Sequence, residues 1–168
     1  MSKNKPPSFA MPINSCRQAA RFRVMDLTGL DDIELADEGE FQKIEHFNKD
    51  VYKVEITNLG HDSSECYIDA RNGELLFFNN LNQQKPPEDR PLPKELIKKI
   101  LLARFKRFND LIPEDAKFES VSEIKEEITG NTLYEVRWKN ENHSKDYVSI
   151  FFNPVSEKIF NYVKKWSS

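Results

Sequence analysis

The sequence predicts an α+β protein made of two tandem units, each a helix followed by a small antiparallel sheet. Three observations support this fold class. Apolar residues recur at helical spacing in two segments, and short alternating stretches bounded by turn residues follow each segment. The second half of the chain can also be aligned with the first. The predicted organisation is an irregular tail at 1–12, a first unit at 13–80, a proline-rich linker at 81–93 and a second unit at 94–168.

The composition is that of a chain that can form a packed core. Of its 168 residues, 38% are hydrophobic and 11% are aromatic, and the formal net charge is −3. A nucleic-acid-binding protein usually carries a basic excess, so we expect no nucleic-acid partner. No stretch approaches the roughly 18 apolar residues of a membrane-spanning helix, and none near the N-terminus resembles a signal peptide. We therefore expect a cytoplasmic protein, or an extracytoplasmic one if a signal peptide has been removed.

The first unit is predicted to begin with a helix that ends at Gly29. Either Asn14 or Ser15 could cap its N-terminus, and glycine suits the left-handed conformation that follows a helix. The apolar stripe of this helix consists of residues three or four positions apart: Ile13, Cys16, Ala20, Val24 and Leu27. The acidic segment 30–40 that follows is predicted to be a solvated connection.

Four strands are predicted after this helix, at 41–47, 51–57, 65–70 and 74–78. The second of them alternates most clearly, with Tyr52, Val54 and Ile56 on one face. A polar cluster at 58–63 and the Arg-Asn-Gly sequence at 71–73 predict turns, because Asn and Gly tolerate positive φ.

The second unit shows the same order of elements. A helix is predicted at 93–112 and is stopped by Pro113. Four strands are predicted to follow it, at 118–128, 133–138, 147–152 and 157–162.

Aromatic side chains are predicted to form the core of the second sheet. Four residues share this assignment because of strand alternation: Tyr134, Trp138, Phe152 and Tyr162. We expect Trp138 in particular to be buried against the second helix, near Phe105 or Phe108. The alternative is that the four residues form an exposed aromatic platform.

The two halves align with two constant offsets. Residues 51–56 match residues 133–138 at an offset of 82, and residues 68–78 match residues 152–162 at an offset of 84. The difference of two falls in the hairpin loop between the matched strands, where a change of length is tolerated. The offsets therefore predict an internal repeat.

The second half also resembles a known bacterial family. A charged helix ending near Leu-Ile-Pro-Glu precedes Tyr-x-Val-x-Trp, and the last strand pair reads Asn-x-x-Ser-Glu-x-Ile-x-x-Tyr. The residues at these positions are Tyr134, Val136, Trp138, Asn153, Ser156, Glu157, Ile159 and Tyr162. The pattern is similar to the YcdB/YcdC repeat of bacterial proteins, which is related to the PepSY domains of peptidase propeptides and regulatory proteins. The first half is similar through Tyr52, Val54 and 69–75, with Ile56 in place of the Trp.

This resemblance covers roughly residues 13–166. It implies a helix packed on a curved antiparallel β-meander in each unit, which is a PepSY-like or cystatin-like fold. It also implies a binding or inhibitory role rather than catalysis.

Residues that could bind a metal are spread along the chain. The candidates are His46, His61, His143, Cys16 and Cys66. A zinc site needs about four ligands at close spacing, and although His61 and Cys66 flank one hairpin, no second pair stands near them. We therefore predict no metal-binding residue. Two cysteines are also few for a disulfide scaffold, so both are predicted to be free thiols, mostly buried.

No catalytic or cofactor-binding residue is predicted either. His61, Asp62 and Ser63 are the residue types of a nucleophilic site, but adjacent side chains in a turn point apart. Acidic residues are too abundant for any pair of them to indicate acid–base catalysis. The five glycines are scattered, so the sequence has no glycine-rich phosphate loop. We therefore expect no cofactor.

The predicted second helix is basic. Its cationic residues are Lys94, Lys98, Lys99, Arg104, Lys106 and Arg107. Such a helix could contact an acidic partner, a membrane surface or nucleic acid. The alternative is a solvated face that is balanced by the acidic residues of 114–127.

These observations predict a non-enzymatic protein-binding or inhibitory module that acts through protein–protein contacts. Its mechanism would be surface complementarity, for example pairing along a free sheet edge. The sequence does not identify the protein partner. The alternative is a small-ligand-binding protein or an enzyme with a pocket between the helix and the curved sheet.

Overall fold

The structure is a computed structural model that describes residues 6, 8–58, 64–79, 93–105, 111–125, 132–154 and 159–167. About 50% of the described residues are in strands and about 20% are in helices, so the protein has α+β character. The chain divides into two compact units, 1–82 and 83–168. The predicted linker at 81–93 lies almost wholly outside the described residues.

In its described part, the first unit contains one helix followed by four strands. Their bounds are α1 Ile13–Thr28, β1 Leu35–Ile44, β2 Lys49–Ile56, β3 Glu65–Asp69 and β4 Leu75–Asn79. The helix lies against all four strands of this unit, and the core of the unit is between them.

The second unit also contains one helix and four strands in its described part. Their bounds are α2 Lys94–Phe105, β5 Lys117–Lys125, β6 Thr132–Asn140, β7 His143–Phe152 and β8 Ile159–Lys165. The predicted helix at 93–112 is thus observed only as far as Phe105, since 106–110 lie outside the described residues and Leu111 is not helical.

The predicted fold class, two tandem units that are each a helix packed on a curved meander of their own, is wrong. The strands are ordered β1-β2-β3-β4-β8-β7-β6-β5 in a single antiparallel eight-stranded sheet. The error has a physical reason. Alternation of apolar and polar residues shows which side chains share a face of a sheet, but it does not show which strands are neighbours or where the sheet ends.

Helix α1 has the predicted apolar stripe and the predicted C-terminus. Four residues of the stripe are fully buried: Cys16, Ala20, Val24 and Leu27. Gly29 adopts the left-handed conformation with φ 71°, and its N–H donates to the carbonyl oxygen of Met25 at 2.8 Å. The predicted caps are wrong, because the helix begins after Pro12 without a side-chain cap and Asn14 and Ser15 lie inside it.

Strand β1 contradicts the prediction for the acidic segment. Residues 35–40, predicted to belong to a solvated connection, are in strand conformation, and the strand ends at Ile44 rather than at Phe47. The chain then turns through Asn48, whose φ is 51°. An end strand exposes most of its side chains, so acidic residues are tolerated in it and the apolar alternation that predicts a strand is weak.

The registers within the two units follow the offsets seen in the sequence. Tyr52 pairs with Ile68 in the first unit, and Tyr134 pairs with Phe152 in the second. These pairs differ by 82 on the earlier strand and by 84 on the later strand. The repeat itself, and its relation to a known family, stay predictions.

The aromatic residues assigned to the core are buried, as predicted. Tyr134 is 7% exposed, Trp138 is 1% exposed, and Phe152 and Tyr162 are fully buried. The hydroxyl of Tyr162 donates to the carbonyl oxygen of Leu111 at 2.6 Å. Trp138 meets the ring of Phe118 edge to face. Its predicted neighbours on the second helix, the side chains of Phe105 and Phe108, lie outside the described part of the structure.

Candidate functional site

Strand β1 lies at one end of the sheet and pairs with β2 alone. The direction of the β2 backbone groups follows from two hydrogen bonds. The N–H of Ile56 donates to the carbonyl oxygen of Ser64, and the carbonyl oxygen of Asp50 accepts from the N–H of Ala70. The backbone N–H and C=O groups of Asp50 and Ile56 therefore point toward β3. Because the backbone groups of successive residues point toward opposite neighbouring strands, those of Val51 and Lys53 point toward β1.

This alternation determines which groups of β1 are left open. Glu40 pairs with Lys53 and Gln42 pairs with Val51, so the backbone groups of Glu40 and Gln42 form hydrogen bonds with β2. Gly39, Phe41 and Lys43 then turn their N–H and C=O groups to the outer side. Within the described ranges, no other residue bonds to them there. We call this row of three residues the open edge.

The open edge is fixed to the core of the first unit. The ring of Phe41 meets that of Tyr52 edge to face, with centroids 5.7 Å apart. Gly39 lies directly beneath α1, where a Cβ atom would collide with Cδ1 of Ile13. A rigid strand with unpaired backbone groups is the template that an added strand requires.

An open cleft of about 610 Å³ adjoins the beginning of β1. It is lined by Arg17 and Arg21 of α1, by residues 32–37 and by Thr57. The cleft thus lies between the helix and the entry to the strand. Its position, beside the helix and the entry to the sheet, is comparable to that of the pocket between helix and sheet predicted as an alternative.

Two arginines connect α1 to the segment that enters β1. Nη2 of Arg17 donates to the carbonyl oxygen of Leu35 at 2.8 Å, and Nε of Arg21 donates to that of Ile33 at 2.8 Å. Arg17 also forms an ion pair of 3.5 Å with Asp37. Both guanidinium groups therefore act first as internal braces, which hold the strand entry against the helix.

The surroundings of the open edge are acidic. Six carboxylates lie within residues 31–40: Asp31, Asp32, Glu34, Asp37, Glu38 and Glu40. Lys43 is the only cationic residue between 31 and 44, and Arg17 and Arg21 line the adjoining cleft. Lys53 of β2 lies opposite Glu40 and contacts the carboxylate of Glu65 at 3.3 Å. The side chain of Asp37 is fully exposed although it contacts Arg17. Acidic charge therefore predominates along this edge.

Strand β5, at the other end of the strand order, has a different charge pattern. None of its nine residues is buried. Its acidic side chains contact cations of their own unit: Glu119 lies 3.3 Å from Arg137, and Glu123 lies 3.9 Å from Lys94. The charges along β5 are thus largely balanced locally, and β5 offers a less distinctive surface than β1.

The candidate metal ligands of the sequence are not brought together in the part of the chain that the structure describes. His46 packs against the ring of Phe47, and His143 is exposed at the start of β7. His61, Asp62 and Ser63 lie outside the described residues. The basic helix α2 is balanced in part by acidic residues, as the contact between Lys94 and Glu123 shows.

Both cysteines are free and buried. Burial, with a smaller effect of the Asp69 carboxylate, raises the pKa of the Cys16 thiol. Burial also raises the pKa of Cys66 to about 12, with Glu65 adding to the effect. A nucleophilic cysteine needs a lowered pKa and access to solvent, so the environment of these thiols does not activate them.

The open edge is not predicted by the sequence pattern, because the acidic residues of 30–40 indicate a solvated connection. A signal was nevertheless present in Leu35 and Phe41, which flank the acidic residues at strand-like spacing, and Leu35 is in fact buried.

Neither described helix has the length and apolar character required to span a membrane. Comparison with protein-family models, with curated proteins and with solved structures found no match to this chain.

Proposed function

We propose that this protein is a non-enzymatic binding or regulatory module that takes up an extended segment of a partner protein as an added strand along β1. The observation that carries this proposal is the open edge, where Gly39, Phe41 and Lys43 face outward with backbone groups that no described residue bonds. In strand addition the main-chain hydrogen bonds provide affinity, and side-chain contacts provide specificity.

The energetics of an open edge favour such a function. Each ladder hydrogen bond contributes about 0.5–1.5 kcal/mol net, so several of them together hold a short segment. Strand β1 is also held in place by the packing of Phe41 on Tyr52 and by the hydrogen bonds from the arginines of α1. The entropic cost of ordering this strand when a partner binds is therefore small.

A cytoplasmic location is part of the proposal. Cys16 and Cys66 are unpaired, as is usual in a reducing compartment. Cell fractionation with antibodies against the native protein would test the location, and recovery in an extracytoplasmic fraction would contradict it.

The experiment compares two variants at one position of the open edge. Lys43→Pro removes an outward N–H and adds a ring on that side, whereas the β1–β2 ladder keeps its bonds. Lys43→Ala removes the same side chain but keeps the N–H. After cross-linking and affinity capture from cells, we expect a partner that wild type and Lys43→Ala retain and that Lys43→Pro loses. Capture that is equal for all three proteins would contradict the proposal.

A second function is favoured by the cleft. Its volume of about 610 Å³ and its lining by Asp32, Glu34 and Asp37 suit a small cationic ligand, because Arg17 and Arg21 already donate to backbone carbonyl oxygens. A screen of small amines and amino acids by thermal shift would test this function. Stabilisation that Asp32→Asn abolishes and Lys43→Pro leaves intact would favour the small-ligand function over strand addition.

A further inference from the structure

We propose that the segment received by β1 is basic: an extended stretch of a partner protein in which lysine or arginine alternates with apolar residues. This inference rests on the proposed function and adds the chemistry of the partner. The observation behind it is the coincidence of the open edge with the acidic surroundings of residues 31–40.

The charge balance around the open edge determines which net charge a bound segment should carry. Six carboxylates stand against Lys43, the two arginines that line the cleft, and Lys53 of β2, which lies opposite Glu40 and also contacts Glu65. Arg17 and Arg21 already donate to the carbonyl oxygens of Leu35 and Ile33, so part of their donor capacity is used within the protein. A cationic segment is therefore attracted to this edge, and an anionic segment is repelled.

The alternation of β1 determines the pattern of the partner. Phe41 shares a face with Tyr52, which is buried beneath α1, whereas Glu40 and Gln42 point to the opposite face. A strand added beside β1 presents its own residues alternately to these two faces. Apolar residues then lie next to Phe41, and cationic residues lie next to Glu40, where pairs of opposite charge are favourable.

A second copy of the chain is a poor occupant of the same edge. Each copy would bring the six carboxylates of residues 31–40 and a single lysine, Lys43, to the joined edges. Surfaces of like net charge repel each other as they approach. The acidic residues therefore oppose pairing of the edge with itself and leave it open to a basic segment.

The test uses the full-length protein and three labelled peptides that match the length of β1, ten residues. Valine alternates with lysine in the first, with glutamine in the second and with glutamate in the third. Binding is measured by fluorescence anisotropy. We expect the affinity to decrease in the order lysine, glutamine, glutamate. Added salt should reduce the preference for lysine, because the Debye length falls from about 10 Å at 0.1 M to about 3 Å at 1 M.

Two variants separate charge from strand pairing. Asp37→Asn combined with Glu40→Gln removes two carboxylates from the edge, and we expect it to weaken the lysine peptide about threefold to tenfold. Lys43→Pro should weaken the lysine and glutamine peptides alike by blocking the open edge. The matched control, Glu114→Gln combined with Glu141→Gln, makes the same change of net charge in the second unit and should leave binding within about twofold of wild type.

The outcomes distinguish this inference from the proposed function. Equal binding of all three peptides that Lys43→Pro abolishes would overturn the basic partner but support strand addition. Binding of the lysine peptide that the carboxylate variant weakens and Lys43→Pro leaves unchanged would overturn both. Absence of binding by any peptide would overturn the inference alone, since the capture experiment tests the proposed function separately. A dimer of the protein by light scattering that Lys43→Pro dissociates would identify a second copy as the occupant and would also overturn it.

Discussion

At the scale of single residues, the core of the second unit depends on large aromatic side chains whose polar atoms are accommodated. Tyr162 is fully buried, and its hydroxyl reaches the carbonyl oxygen of Leu111. A buried hydroxyl without such a partner would cost about 1–3 kcal/mol. Trp138 is 1% exposed and packs edge to face against Phe118. These contacts make the two residues central to the stability of this unit.

Trp138→Ala should lower the free energy of unfolding by about 3–5 kcal/mol, because it removes a large buried side chain and leaves a cavity. Urea titration followed by circular dichroism would measure the change. The control is Ile124→Ala on β5, which removes a side chain that is 36% exposed and should cost well under half as much. Similar losses for the two variants would show that Trp138 is not part of a packed core.

Cys66 should make the stability depend on pH in the alkaline range. Its pKa rises from the ordinary value of 9.0 to about 12 in the folded protein, because burial disfavours the thiolate. The folded state then binds this proton more tightly than the unfolded state does. The contribution is fully present below pH 9.0 and is lost as the pH rises through about 12.

Urea titrations between pH 8 and pH 11 would measure this dependence, and the decline in unfolding free energy should be less steep in Cys66→Ala than in wild type. Chromogenic thiol labelling gives an independent measurement. Both cysteines should react in denaturant and neither should react rapidly in the native protein. A fast native reaction of either thiol would contradict the burial on which this prediction rests.

At the scale of elements, the position of β1 depends on α1. Gly29 ends the helix in the left-handed conformation, and the chain then returns along the helix so that Ile33 and Leu35 come within reach of Arg21 and Arg17. The two arginines are four residues apart and therefore project from one side of the helix. They fix the entry of β1, and with it the direction in which the open edge faces.

Arg17→Met should lower the free energy of unfolding by about 1–2 kcal/mol, since it removes the hydrogen bond to Leu35 and the ion pair with Asp37 but keeps the apolar stem. It should also weaken binding at the open edge, because the strand entry loses its brace. The control on the same helix is Gln18→Met, an exposed position that should change stability by less than about 0.5 kcal/mol. If Arg17→Met behaves like its control, the brace has no structural role.

At the scale of the whole molecule, the described part of each unit has one helix followed by four strands, but the charges along β1 and β5 differ. Acidic residues outnumber basic ones in and just before β1, although Asp37 contacts Arg17, whereas Glu119 and Glu123 of β5 contact Arg137 and Lys94. The strands β1 and β5 therefore differ in the charges along them. The distribution of charge along these strands, rather than the strand arrangement, suggests which of them binds a partner.

The protein should be equally stable with and without metal ions. The expectation follows from the sequence, where three histidines and two cysteines are spread along the chain. A metal that bound the folded state alone would raise stability by about 2.7 kcal/mol at a hundredfold excess over its dissociation constant. Thermal melts with chelator and with zinc, calcium or magnesium should therefore coincide. A melting temperature that falls with chelator, or a stoichiometric metal found by elemental analysis, would contradict the prediction.

The sequence by itself determined the features that depend on local spacing. The buried stripe of α1, the end of that helix at Gly29 and the inward face of Tyr134 and Trp138 all follow from periodicity and from the conformational freedom of glycine. Burial selects apolar residues at every second strand position or at every third to fourth helix position. Such residues can therefore be identified without knowing what they pack against.

The tertiary structure alone decided that residues 35–40 form a strand and that the eight strands of the described residues belong to one sheet. Both facts depend on pairing between segments distant in sequence, which a local pattern does not record. The acidic residues of β1 are compatible with a loop as well as with an end strand, because both expose side chains to water. The open edge became apparent only when the partners of β2 showed which backbone groups of β1 are bonded and which face outward.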